Sequence, residues 1–90
     1  MFIITACEAY GATFQKIPNH VEGAGDMYET TTSLSNCKAL CINPPTGGIC
    51  RSYEYWRLRN ICTLTDHTML YPVNGYDYNT DWDVYTRDCA

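Results

Sequence analysis

The chain has ninety residues, six of them cysteine, and its ten acidic against six basic residues leave a formal net charge of −4. A domain this short buries little core per residue and leans on covalent or metal staples, and an even, high cysteine count points to disulfides formed in an oxidising compartment. The acidic balance excludes nucleic acid or an anionic membrane surface as the main partner, and no apolar run is long enough for membrane insertion.

In chain order, Phe2 to Thr5 is β-favouring and reads as a terminal strand. Met1 to Ala6 lacks a basic n-region and a full h-region, so it does not read as a signal peptide. A secreted location then requires that a leader was removed, or that the stretch is an excised domain behind an added Met. Ala9 to Ile17 is mixed, and Pro18-Asn19 predicts a break. Val21 to Asp26 carries two glycines and reads as a loop, and Glu29 to Thr32 as a short strand.

The convincing helix follows. Ser33 or Ser35 can cap it by accepting from first-turn N–H groups. Leu34, Cys37, Leu40 and Cys41 then share one face. Pro44-Pro45 forbids continuation, and Thr46-Gly47-Gly48 completes a loop. Ile49 to Trp56 and Ile61 to Thr65 read as strands joined by a hairpin connection at Leu58-Arg59-Asn60, with Tyr53 and Tyr55 on one strand face. Asp66 to Tyr71 continues or turns. Pro72 to Asn79 is loop-like, with Asn74-Gly75 as its turn signal. Asp81 to Arg87 reads as the closing strand. The pattern is α+β: an antiparallel sheet of about five strands crossed by one helix, stapled by disulfides.

Cys37 and Cys41 admit three readings. A zinc site needs four thiolate or imidazole ligands, but the spacings C-x3-C, C-x8-C and C-x11-C contain no C-x2-C pair, and His20 and His67 sit in unrelated contexts. A redox pair favours C-x-x-C at a helix N-terminus, where the dipole lowers a thiol pKa. The third reading fits the geometry: residues i and i+4 lie one turn apart on one face, so two disulfides from that face to adjacent strands clamp the helix onto the sheet. Cys50 begins one candidate strand and Cys62 lies in the next.

In order, the sequence presents Cys7, the helical "CKALC", "CRSYEY", "CTL" and a closing "WDVYTRDC". This succession resembles the PAN/apple domain family, of the six-cysteine apple type, over Cys7 to Cys89. The resemblance implies pairing of Cys7 with Cys89, Cys37 with Cys62 and Cys41 with Cys50. It also implies a non-catalytic binding module. Tyr10 to Tyr28 carries no motif of the family, and the Tyr- and Asp-rich final stretch is a departure from it.

Catalysis has no support in the residues. His20 and His67 are isolated, and pairing the cysteines leaves no activated thiol. No cofactor is implied. The densest chemistry is "YPVNGYDYNTDWDVY", with four Tyr, one Trp and five Asp or Asn. Aromatics give rigid contact area, and acidic and amide groups bond hydroxyls, so Tyr76, Asp77, Tyr78 and Trp82 are the candidate ligand-binding residues. Trp82 and Tyr85 also serve as core. Asp77, Asp81 and Asp83 lack a calcium-loop spacing, and a solvated acidic loop is the better reading, so no metal is assigned. An alternative basic face of Lys38, Arg51, Arg57 and Arg59 would suit a sulfated glycan. The expectation is an extracellular module that recognises a protein or glycan, in adhesion or matrix. The alternatives are a stand-alone secreted lectin or a disulfide-rich structural or defence protein of toxin type.

Overall fold

The structure, a computed structural model, describes residues 7–22, 26–66 and 76–90. Strands β1 (Tyr10–Glu22) and β2 (Asp26–Thr31) precede the helix α1 (Leu34–Ile42), and β3 (Ser52–Trp56), β4 (Ile61–Thr65) and β5 (Tyr76–Cys89) follow it. The five strands form one sheet in the order β1-β5-β3-β4-β2, and every pairing is antiparallel. The expected α+β architecture is therefore the observed one. The strand expected at Phe2 to Thr5, the turn at Asn74-Gly75 and His67 lie outside the described residues.

Two readings are corrected. Pro18 does not end the first strand: β1 runs through it to Glu22. A proline has no N–H to give a ladder, but β1 is the edge of the sheet, where one missing donor costs no strand pairing on the outer side. The irregularity appears instead as a bulge. The register jumps between Pro18 opposite Asp83 and His20 opposite Tyr78, and Asn19 takes a positive φ of 61°. Tyr76 to Asn79, read as loop, forms the start of β5, because His20 to Glu22 of β1 offers it a partner. At 13 and 14 residues β1 and β5 far outrun the 5-residue β3 and β4, so their far ends form a two-stranded ribbon beyond the sheet.

Ser33 caps α1, its Oγ accepting the Asn36 N–H at 3.2 Å. The helix stops before Pro44-Pro45, and Gly47 and Gly48 carry the return loop at φ of 74° and 76°, where a Cβ would be strained. The β3–β4 hairpin closes at Asn60, φ 54°. That residue is further fixed by its carbonyl, which accepts the Thr32 N–H, and by the Tyr55 hydroxyl, which donates to its side chain.

Three disulfides join Cys37 to Cys62, Cys41 to Cys50 and Cys7 to Cys89, leaving no free cysteine. The first two pin consecutive turns of α1 onto β4 and onto the residue leading into β3. They matter because the helix contributes so little else. Of its residues only Cys37 and Cys41 are fully buried, whereas Leu34, expected on the buried face, is 40% exposed. The core on this face is the four inner cysteines with Tyr53, Tyr55 and Leu64. On the opposite face Ser52 is hydrogen-bonded to Thr65 across β3 and β4, and Thr63 donates to Glu29. Small apolar burial of this kind makes the bridges a large share of the stability, each on the order of 2.5–4.5 kcal/mol for loops of these lengths.

Candidate functional site

The exposure of Leu34 has a structural consequence. The first turn of α1 overhangs the sheet without filling the space beneath it. A groove of about 340 Å³ remains, lined by Phe14, Leu34, Ser35, Lys38, Tyr53 and Tyr85. Three rings make one wall. Tyr53 stacks on Tyr85, centroids 4.7 Å apart and planes at 14°, and Phe14 meets Tyr53 edge-on at 4.9 Å. Ladder register explains the cluster: Tyr53 lies opposite Tyr85, Tyr85 opposite Lys16, and Phe14 two residues from Lys16 on the same face.

Tyr53 is only 3% exposed and lines the groove. Tyr55, on the same strand face, donates to the Thr32 carbonyl at 2.7 Å. Burial, with Tyr85 beside it, pushes the Tyr53 phenol well above its ordinary range. Burial and then the Asp83 carboxylate raise that of Tyr85. Both phenols are therefore neutral at pH 7 and can donate as well as accept.

The residues expected at the site are dispersed. Tyr78 and Asp77 lie on the overhanging ribbon; Tyr78 is 70% exposed and its ring meets His20 edge-on at 5.8 Å. Tyr76 begins the same strand opposite Glu22. Trp82 is separated from them by the bulge, half-buried and stacked on Trp56 at 5.3 Å. The four basic residues do not form a face. Arg51 donates to the Asp66 carbonyl, Arg57 binds Asp83 and the Thr80 carbonyl, and Arg59 lies over the Trp56 ring at 5.3 Å. Lys38 alone faces the groove.

Asp83 is not part of a solvated acidic loop. It is 2% exposed, 2.5 Å from Arg57 and 3.9 Å from Lys16, and it accepts the Asn19 N–H at 3.0 Å. Burial alone opposes its ionisation. The Arg57 hydrogen bond, the Asn19 N–H and the two cationic charges outweigh burial and hold its carboxyl below the usual range. It closes the bulge between β1 and β5. Among the described residues, no group of three acidic, histidine or cysteine side chains has the arrangement of a metal site.

Sequence reading named Tyr85 and Lys38 but did not join them to Phe14, Leu34, Ser35 and Tyr53. The available signal was the same-face alternation of Tyr53 and Tyr55 beside a helix whose first apolar residue follows its cap directly.

The PAN domain model matches residues 7–89, and the chain belongs to the PAN domain family. PAN domains are in general non-catalytic modules that bind proteins or carbohydrates. No curated protein shows significant similarity to the chain. Among the described residues no helix is long and apolar enough to cross a membrane.

Proposed function

We propose that this PAN domain is an extracellular recognition module whose helix–sheet groove holds a saccharide. The observation that carries the reading is the groove between α1 and the sheet, walled by the rings of Phe14, Tyr53 and Tyr85 beside the polar Ser35 and Lys38. A pyranose has one apolar face and a rim of hydroxyls. The rings of Phe14 and Tyr85 suit the first, and the hydroxyls of Tyr53, Tyr85 and Ser35 suit the second. The volume sits at the low end of small-ligand sites, which fits one or two sugar rings. Three disulfides with no free thiol support the extracellular location, since they persist only under oxidising conditions. The role that follows is adhesion or matrix association, either within a larger protein or as a stand-alone lectin.

The ribbon supports a second surface. A tyrosine that is 70% exposed on a projecting strand is a ready anchor for a protein partner, and Tyr76, Asp77 and Trp82 lie along the same β5.

Titration calorimetry with methyl glycosides tests the saccharide reading. Binding by the parent, weakened about tenfold (a loss of about 1.4 kcal/mol) in Tyr53→Phe, supports it. Binding that Tyr53→Phe leaves unchanged places the sugar elsewhere.

A further inference from the structure

We infer that the tip of the β3–β4 hairpin is a separate recognition surface, built for an acidic stretch of a protein chain. It lies on the face of the sheet opposite the groove and does not depend on the saccharide reading. Strand alternation puts Tyr53 and Tyr55 toward α1 and Trp56 on the other face. There the ladder sets Ile61, Trp56 and Trp82 side by side across β4, β3 and β5, all three half-buried. Beyond them the turn carries Leu58, which at 72% is the most exposed large apolar side chain among the described residues. The turn does not need that side chain: Asn60 takes the positive φ, and Arg57 holds Asp83. An exposed leucine and an arginine, Arg59, thus end a half-buried aromatic row.

Charge selects the partner. From Arg57 to Thr65 the sequence holds two arginines and no acidic residue. Arg57 is engaged by Asp83, whereas Arg59 has no acidic partner among the described residues and lies over the Trp56 ring at 5.3 Å. Asp81 stands on the β5 side of the turn, where its carbonyl accepts the Arg57 N–H. An orphan donor at the same place is the second sign. The Trp56 Nε1–H is buried and has no hydrogen-bond partner among the described residues. Such a donor costs stability until an acceptor reaches it. A carboxylate that pairs with Arg59 stands beside that indole, and the exposed arginine can swing with it, so one acidic side chain can serve both donors. The rings argue against a sugar here. Trp56 stacks on Trp82, centroids 5.3 Å apart and planes at 17°, and Arg59 covers its ring as well, so little free face is left for a pyranose. What the tip offers is ring edges, one aliphatic side chain and a cation, and Trp and Arg are the residues that anchor protein interfaces.

The experiment titrates the isotope-labelled domain with three peptides that differ only in charge: acetyl-Leu-Asp-Leu-Asp-amide, its Asn counterpart and its Lys counterpart. Two-dimensional spectra follow the Trp56 indole N–H, assigned with Trp56→Phe, and the backbone signals of Leu58 and Arg59. The expected result is that the acidic peptide shifts these signals saturably and binds about tenfold more tightly than the Asn peptide, with the Lys peptide weakest. The Trp56 indole signal should move downfield as it gains an acceptor. Arg59→Gln should bring the acidic peptide to within about twofold of the Asn peptide without moving the thermal midpoint, and Arg59→Lys should restore part of the difference. Leu58→Ser should weaken the acidic and Asn peptides alike, because it removes the apolar anchor and leaves the charge. If the acidic and Asn peptides shift the tip equally, or if neither shifts it at millimolar concentration, the inference is overturned. Tip signals that move only with methyl glycosides, or only with protein concentration, would assign the surface to a sugar or to a second copy and overturn it equally.

Discussion

Asp83 on β5 and Arg57, the first residue of the β3–β4 turn, meet at 2.5 Å where the register between β1 and β5 breaks. The contact ties three parts of the chain together. Arg57 also donates to the Thr80 carbonyl inside the bulge, and Asp83 accepts from Asn19 on β1. The ion pair therefore fixes the angle at which the ribbon leaves the sheet. Asp83 also lies two residues from Tyr85 on the same strand, so the pair steadies one wall of the groove.

Asp83→Asn should lower stability at pH 7 by about 1–2 kcal/mol, since it keeps the shape and weakens charge-assisted bonds. The pH dependence has a definite sign. The folded pKa of Asp83 lies below the unfolded value of about 3.9. Its stabilisation is fully present above that unfolded value and is lost as pH falls through the lower folded one. Chemical denaturation of parent and variant across pH 2 to 7 should show curves that separate above about pH 4 and converge at the acid end. A constant gap across the range would mean that the charge contributes nothing.

The disulfides differ in exposure, and reduction should follow that order. The four inner cysteines are fully buried, whereas Cys89 is exposed and Cys7 half-buried. Thiol exchange needs access to a sulfur. Limited reductant followed by alkylation and peptide mapping should label Cys7 and Cys89 first. Early labelling of Cys37 or Cys41 would show that α1 opens before the termini part.

Cys62→Ser should cost about 2–5 kcal/mol and release the Cys37 thiol, because the helix has little apolar contact to hold it. A denaturation midpoint equal to the parent's would show that packing, and not the bridge, keeps α1 on the sheet.

Two aromatics of β5 should behave oppositely. Tyr78→Ala should change stability by no more than about 0.5 kcal/mol, as its ring is mostly in solvent. Trp82→Ala should cost about 1–3 kcal/mol through loss of its stack on Trp56, discounted from full burial because the ring is half-exposed. Thermal melts of the two variants distinguish a contact surface from a structural one.

These contrasts show where the sequence was readable. The cysteine pair on the helix and the hairpin from Ser52 to Thr65 are local patterns, and their period and turn residues state them directly. β1 was obscured because Pro18 is a breaker only when its N–H is needed, and that depends on the strand's place at the sheet edge. The start of β5 was obscured because polar Tyr76 to Asn79 becomes strand only by pairing with a segment far away in sequence. The groove draws on Phe14, the first turn of α1, Tyr53 and Tyr85, four separated stretches. Only the ladder register brings them together, and no periodicity within any one stretch encodes that register.

The most direct test of a saccharide site at Tyr53 is a two-dimensional NMR titration of the labelled domain with a methyl glycoside that it binds. The account predicts that the perturbed signals cluster on Phe14, Ser35, Lys38, Tyr53 and Tyr85, and that Tyr53→Phe abolishes the saturable shifts at sugar concentrations where the parent is half-occupied. Saturable shifts confined to Tyr78 and Trp82, with the groove signals unmoved, would contradict it.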